Sequence, residues 1–168
     1  MNRDNNHIEF VNNLKNKIQN KKDIIFCCIG TDRVIGDCIG PITGSLLKSK
    51  INSENIYGDL DENLTFNNMN KKICEINSKF KNPFIIAVDA ALSDEKYIGK
   101  IFVEDGGIFI GKGLNKRKRR VGNIGIKVVV GKDYNDNELN FKTLQNVSLK
   151  QIIYLSKIIS NGIINCIE

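Results

Sequence analysis

The sequence lacks several features that common enzyme and membrane classes require. Its single histidine, His7, lies in a polar N-terminal segment. A Ser-His-Asp or Cys-His centre needs an imidazole to take the proton, so neither is expected. The five cysteines include no C-x-x-C spacing, which favours reduced, buried thiols over a metal or redox motif. No apolar run approaches the roughly 20 residues of a bilayer span, and the N-terminus has no signal-peptide apolar segment.

These absences, taken with the composition, predict a cytoplasmic protein with no membrane partner. The chain has 168 residues, of which 41% are hydrophobic and 26% are charged. That is enough for one compact domain and too little for two, so we expect a single domain over residues 1–168. The net charge of +6 comes from lysine used throughout the chain. It is therefore not a nucleic-acid signature by itself.

Apolar patterning predicts alternating strands and helices. Residues 1–22 have apolar residues at helical spacing and should form a covering helix. Segments 24–29 and 83–89 are apolar without alternation, as in strands buried on both faces of a parallel sheet. Further helices are expected after Gly40, over 69–80 and after Ser148, and a further strand over 122–130. Segments 98–103 and 108–110 flank a glycine turn, which predicts a hairpin. The order predicts a three-layer α/β/α sandwich with a mainly parallel sheet.

Ligand and active sites in such folds collect at the carboxyl ends of the strands. The loop after the first predicted strand, residues 30–41, carries Asp32, Asp37 and three glycines before Pro41. A glycine-rich loop can cradle phosphate, but neither nucleotide-binding glycine motif is present. The other position is Asp89, a carboxylate that directly ends an apolar strand. It either caps the following turn or belongs to a site, because a lone buried carboxylate is costly.

If the strands before Asp37 and Asp89 are neighbours, the two acids converge on one cleft. Two nearby carboxyl groups do not both ionise cheaply, so their proton affinities separate. One acid then stays a base that activates water, and the other stays protonated and polarises a carbonyl. This would be hydrolase chemistry without histidine. A metal clamped between the acids would stabilise the same charges, but no set of imidazoles completes a familiar ligand group, and we expect no cofactor.

Four segments of the sequence resemble the YyaC family of sporulation proteins, and the likeness extends over about residues 24–164. The segments are 30–33 (Gly-Thr-Asp-Arg), 36–41 (Gly-Asp-Cys-Ile-Gly-Pro), 83–90 (Pro-Phe-Ile-Ile-Ala-Val-Asp-Ala) and 111–116 (Gly-Lys-Gly-Leu-Asn-Lys). That family is similar to the germination protease, which degrades small acid-soluble spore proteins, and more distantly to hydrogenase maturation endopeptidases.

The resemblance implies a phosphorylase/hydrolase-like α/β/α fold with one antiparallel strand, and expression in the sporulating cell or forespore. In the related proteases, a carboxylate after the first strand and an aspartate ending a later strand form the centre. Carried over by motif, these positions are Asp37 and Asp89. Peptidase activity is implied as well, with acidic spore proteins or another peptide as substrate.

Five further residues are candidates for substrate contact. Thr31 is placed to orient the carboxylate of Asp37, while Asp32 either pairs with Arg33 and holds the loop or touches substrate. Lys116 and Arg117 begin a run of five cations that ends at Arg120. Such a run is either a solvated loop or a surface for an acidic partner. It has no interleaved aromatic residues, so base stacking and a nucleic-acid partner are not expected.

Three functional hypotheses follow from the sequence. The leading one is a sporulation-associated endopeptidase in which Asp37 and Asp89 share the acid and base roles. The second is a non-catalytic, protease-like protein that binds an acidic partner through the basic run 116–120. The third, a nucleotide-binding α/β domain, rests on fold analogy alone and predicts a thermal shift with nucleotides.

Overall fold

The strands of the chain fall into two sheets flanked by helices. A computed structural model describes residues 3–110 and 119–167. The helices are α1 (Arg3–Ile18), α2 (Ile39–Lys48), α3 (Met69–Lys79), α4 (Asn137–Gln145) and α5 (Leu149–Ile167). The strands are β1 (Ile24–Cys28), β2 (Ile56–Tyr57), β3 (Phe84–Ser93), β4 (Ile101–Asp105), β5 (Ile108–Ile110), β6 (Arg119–Val121) and β7 (Ile124–Lys132). A 3-10 turn over Ile35–Cys38 lies between β1 and α2, and we call it the Asp37 turn.

The central sheet has the strand order β2-β1-β3-β7-β4. Its pairs are parallel except that of β4 with β7, which is antiparallel. This confirms the predicted mainly parallel sheet with one antiparallel strand. β1, β3 and β7 are the inner strands, and the apolar residues of β1 and β3 face protein on both sides of the sheet. Within β1, Phe26 and Cys28 belong to one core while Ile25 and Cys27 belong to the other.

Helices cover one face of the sheet, and a helix with a hairpin covers the other. Apolar residues of α1, α2 and α5 form the larger core with the sheet. Met69 and Ile76 of α3 form the second core with buried residues of β5 and β6. The α/β sandwich is therefore as predicted, with a hairpin sharing the α3 layer. Within the described ranges, no helix is both long and apolar enough to cross a bilayer.

The predicted hairpin between segments 98–103 and 108–110 is wrong. β4 pairs with β7, while β5 pairs with β6 in a separate two-stranded sheet. Gly106 and Gly107 both have positive φ angles, of 78° and 73°, and lie where the chain leaves the central sheet. Ile108 and Ile110 are both buried in the second core. Burying this apolar face over the sheet determines the pairing of β5, rather than its nearness to β4 in sequence.

Two further features differ from the sequence prediction. α4 was not expected, because none of its residues is buried and it has no apolar stripe. The Asp136 side chain caps this helix by accepting a hydrogen bond from the Leu139 N–H, at 2.9 Å. β3 continues four residues past the predicted end at Asp89, to Ser93. The chain beyond Asp89 is therefore strand rather than a helix-capping turn.

The cysteines are all free thiols, but not all are buried as predicted. Cys27, Cys28 and Cys38 are buried, Cys166 is half-buried, and Cys74 is exposed on α3. Burial raises the pKa of Cys27 to about 12. The thiols of the sheet are therefore core residues with little thiolate character.

Candidate active site

The end of β1 is shaped so that the following loop can turn back over the sheet. The Ile29 N–H donates to the carbonyl oxygen of Val88 on β3, at 2.7 Å. The chain then turns at Gly30, whose φ is +143°. A Cβ at this position would lie 2.1 Å from the carbonyl oxygen of Asp37. Only glycine permits this approach, which brings the Asp37 turn back to the carboxyl end of β1.

The Asp37 turn is held between the sheet and α4. Its backbone closes through a 2.9 Å hydrogen bond from the Asp37 N–H to the Val34 carbonyl oxygen. The turn contacts β3 on one side and α4 on the other. Gly36 permits the second contact, because a Cβ there would lie 2.7 Å from a methyl carbon of Leu144. The sequence thus fixes the position of Asp37 through backbone packing.

The structure brings the Asp37 turn into contact with β3, the strand that carries Asp89. Burial raises the pKa of Asp37 above its ordinary value. Burial, followed by the negative charge of Asp37, raises the pKa of Asp89 well above its ordinary value. A hydrogen bond from the Ala90 N–H and the charge of Lys127 act in the opposite direction without cancelling the rise. The pair therefore tends to hold one proton, and Asp89 binds it more tightly.

Lys127 is a member of this site that the sequence analysis missed. It lies on β7 directly opposite Asp89 in the strand register, so the two side chains leave the same face of the sheet. Its ammonium donates to Glu104 Oε2 on β4, at 2.6 Å. The signal was a lone cation in an otherwise uncharged strand interior. It could not be assigned without the β3–β7 register, which the sequence does not specify.

The predicted contact residues Thr31, Asp32 and Arg33 lie in the loop before the Asp37 turn. The Thr31 hydroxyl accepts a hydrogen bond from the Arg33 N–H, at 3.3 Å. The Asp32 N–H donates to Asn63 Oδ1, at 3.1 Å, which ties this loop to the one after β2. The side chains of Asp32 and Arg33 are exposed. The loop is thus held by its own polar groups, with two opposite charges facing solvent beside the acid pair.

The predicted basic surface lies largely outside the described residues. Lys116 and Arg117 fall there, as does the 111–116 segment of the family resemblance. Arg119 and Arg120, at the other end of the run, are exposed on β6. The Arg120 guanidinium lies 4.4 Å from the centre of the Phe109 ring and donates to the Gly106 carbonyl oxygen, at 3.2 Å. This end of the run is therefore part of the β5–β6 hairpin.

Comparison with known proteins identifies the family. Residues 1–162 match a family described as "Protein of unknown function (DUF1256)". The chain belongs to this family. It is 34% identical to the "Uncharacterized protein YyaC" of Bacillus subtilis (strain 168) over 143 residues. The aligned residues make up 84% of this chain and 68% of that protein. The predicted membership of the YyaC family is confirmed.

The fold is similar to that of a protease of known structure. The [NiFe] hydrogenase maturation protease HycI from Thermococcus kodakarensis KOD1 superposes with a TM-score of 0.56, over 90% of this chain and 99% of that one. The two sequences are 16% identical. This likeness confirms the predicted α/β fold. In the described parts of the chain, no three His, Cys, Asp or Glu side chains are grouped closely enough to hold a metal ion.

Proposed function

We propose that this protein is an endopeptidase of sporulating bacteria in which Asp37 and Asp89 act together on a peptide bond. The observation that carries the proposal is that the Asp37 turn contacts β3, the strand of Asp89, where the charge on Asp37 adds to burial in raising the pKa of Asp89. A partly buried acid pair that shares one proton can supply both a base and an acid at the same place. Structural carboxylates are usually paired with cations or amides instead.

The roles follow from the unequal proton affinities. Asp37 is the base: its carboxylate removes a proton from a water molecule, and the water oxygen attacks the peptide carbonyl carbon. Asp89 is the acid: its proton hydrogen-bonds to the carbonyl oxygen as negative charge develops there. The tetrahedral intermediate then collapses and the C–N bond breaks. The leaving nitrogen takes up the proton that Asp37 removed from water, which returns Asp37 to its carboxylate form. Lys127 acts as a positioning residue that limits how far the pKa of Asp89 rises.

The substrate proposal rests on family resemblance. The chain belongs to the YyaC family, and we carry over the resemblance of its motifs to the germination protease. Small acid-soluble spore proteins are therefore the first substrates to test, in the sporulating cell or forespore. The HycI-like fold supports a protease framework. We expect the exposed side chains of Asp32 and Arg33, in the loop before the Asp37 turn, to contact such a chain.

Cleavage of purified small acid-soluble spore proteins tests the proposal. We expect the Asp37→Asn and Asp89→Asn variants each to lose at least about 100-fold in rate, since each removes one half of an acid–base pair. The control is Asp61→Asn, which neutralises an exposed aspartate outside the pair. It should cleave at the wild-type rate. Thermal unfolding of each variant separates a catalytic loss from a folding defect.

Two results would overturn the proposal. One is wild-type protein that cleaves none of these substrates, and the other is an Asn variant that cleaves as fast as wild type. If wild type binds an acidic spore protein without cleaving it, and neutralising Lys116 to Arg120 abolishes the binding, the non-catalytic alternative replaces the endopeptidase. The exposed side chains of Arg119 and Arg120 are the described part of the chain that favours this alternative.

A further inference from the structure

The strand that carries Asp89 loses its β1 neighbour directly before that residue. β1 pairs with β3 only as far as Cys28 opposite Val88. β3 continues to Ser93, and on its other side it stays paired with β7, with one shift of register between Ala91 and Leu92. Among the described residues, no strand lies beside segment 90–93 on the side where β1 has ended. A stretch of β3 inside the sheet is thus left with one neighbour.

The alternation of the strand shows which groups face the open edge. The Val88 carbonyl oxygen accepts from Ile29, which follows β1, whereas the Ser93 carbonyl oxygen accepts from Asp133, which follows β7. Even-numbered residues therefore point their N–H and C=O groups toward the β1 side. Beyond Val88 these are Ala90 and Leu92. The Ala90 N–H donates to the Asp89 carboxyl group.

Three main-chain groups are left at this edge without a partner in the described chain: the Ala90 C=O, the Leu92 N–H and the Leu92 C=O. Half-buried main-chain groups are seldom left unpaired in folded proteins. All four residues from Ala90 to Ser93 are half-buried, and the Asp37 turn contacts β3 as well. The donor and acceptor spacing of the edge is that of a strand that lacks its neighbour.

The two faces of the edge differ in chemistry. Ala90 and Leu92 pack with the larger core, together with Leu144 and Val147. Asp89 leaves the opposite face and interacts with the carboxyl group of Asp37. A strand added here would pack every second side chain against apolar residues of the larger core. Its main chain would continue the line of β1 toward the acid pair.

We infer that the Ala90–Ser93 edge binds an extended peptide segment of the substrate as an added strand. The segment donates two N–H groups, two residues apart, to the Ala90 and Leu92 carbonyl oxygens, and accepts from the Leu92 N–H. This inference rests on the proposed function for its substrate class. It adds that the main chain of an unfolded or extended segment, more than any one side chain, is what the site recognises.

Amide hydrogen exchange tests the inference without requiring cleavage. The probe is a capped heptapeptide, acetyl-Ala-Thr-Val-Thr-Val-Thr-Ala-amide, because alternating threonine and valine favour an extended chain. At saturating peptide we expect exchange of the Leu92 amide to slow by at least about fivefold, as for one new main-chain hydrogen bond. The Ala91 and Ser93 amides face β7 and should not change. The same heptapeptide with its three central amides N-methylated is the matched control and should give no protection.

A pair of substitutions repeats the test from the protein side. Leu92→Pro removes the edge N–H, whereas Leu92→Ala keeps it and trims the side chain. Leu92→Pro should weaken peptide binding by at least about fivefold relative to Leu92→Ala. If Leu92→Pro does not fold, the exchange pattern of the wild type decides alone.

The inference fails if the heptapeptide leaves the Leu92 amide unchanged, or if the N-methylated peptide protects it equally. It also fails if protection spreads equally to Ala91 and Ser93. Measuring exchange in the Asp37→Asn variant separates the two proposals, because this variant lacks the proposed base and keeps the Ala90–Ser93 edge. Protection at Leu92 without any cleavage by wild type would retain the peptide edge and remove the endopeptidase. Cleavage of spore proteins without protection would retain the endopeptidase and remove the edge.

Discussion

Two aspartates, one in the loop after β2 and one within β3, have opposite surroundings. Asp59, after β2, is 3% exposed. Its Oδ1 accepts from the N–H groups of Asp61 and Glu62, at 2.8 and 2.7 Å, and its Oδ2 accepts from the Lys48 ammonium. Asp89, in β3, has one N–H donor, from Ala90, and a second acid as its neighbour.

The difference shows that burial alone does not set the protonation of a carboxyl group. Burial raises the pKa of Asp59, but its bonds to Lys48 and to the two N–H groups outweigh burial and lower that pKa below its ordinary value. Burial also raises the pKa of Asp89, and there the charge of Asp37 adds to the rise. A carboxylate with a full set of donors anchors its loop. One with an incomplete set keeps a proton that chemistry can use.

Breaking the Asp59 anchor should give the largest change in stability. Asp59→Asn removes the charge that pairs with Lys48, and we expect the free energy of unfolding to fall by about 2–3 kcal/mol at pH 7, as when a buried charged hydrogen-bond partner is lost. Urea denaturation measures the change. Asp89→Asn is the matched control, since it replaces a half-buried acid that has no ion pair with a cation among the described residues. It should leave stability unchanged or higher.

The comparison would be wrong if Asp89→Asn proved as destabilising as Asp59→Asn. That result would mean that the Asp89 carboxylate, rather than its protonated form, stabilises this part of β3. Lys48→Met gives an independent check on the Asp59 anchor. Because the Lys48 side chain is 35% exposed, its loss should cost less than the loss of Asp59.

As pH rises, the contribution of Asp59 to stability should increase and that of Asp89 should decrease. The pKa of Asp59 is lowered by folding, so its contribution is present above the unfolded pKa of about 3.9 and is lost as pH falls through the folded value. The pKa of Asp89 is raised, so its contribution is complete below about pH 3.9 and is lost as pH rises toward the folded value.

Denaturation of wild type and Asp89→Asn between pH 3 and pH 8 measures this second effect. The stability difference should grow in favour of the Asn variant as pH rises above about 4, with a slope of at most about 1.4 kcal/mol per pH unit for one proton. The free energies of unfolding of Asp59→Asn and wild type should instead converge as the pH falls below about 4. A difference that does not vary with pH for Asp89→Asn would contradict the raised pKa.

The sequence predicted the parts of the fold that depend on local pattern. The uninterrupted apolar runs of β1 and β3 predicted inner strands, and Asp89 was placed at the carboxyl end of the sheet because it interrupts such a run. Three features depended on long-range pairing and were not predicted. They are the association of β5 with β6, the extension of β3 past Asp89, and the position of Lys127 opposite Asp89.

The physical reason is that strand register is a property of pairs of strands. The residues that follow Asp89 are Ala-Ala-Leu-Ser, which fit a helical turn as well as a strand when taken alone. β7 holds them extended, since Ala90 lies opposite Val128 and Ala91 opposite Val129. Likewise, α4 has no buried face, so no apolar period marked it. Its role becomes visible only where Leu144 contacts Gly36.

The smallest predicted effect concerns the cation that moderates the acid pair. Lys127 lowers the pKa of Asp89, while Glu104 partly neutralises Lys127 across a 2.6 Å ion pair. Lys127→Met should therefore raise the pKa of Asp89 further, and Glu104→Gln should lower it by freeing the lysine charge. Both ion-pair side chains are partly exposed, with 31% and 45% exposure, so either variant should change stability by less than about 1 kcal/mol.

Carboxyl ¹³C NMR titration of Asp89 measures these two shifts without any substrate. Opposite shifts in the two variants would show that Lys127 sets the protonation of the pair through its charge. Shifts of the same sign would mean that the substitutions act by repacking β4 against β7 instead. In that case Asp37 alone would govern the proton on Asp89, and Lys127 would be a strand residue with no part in the site.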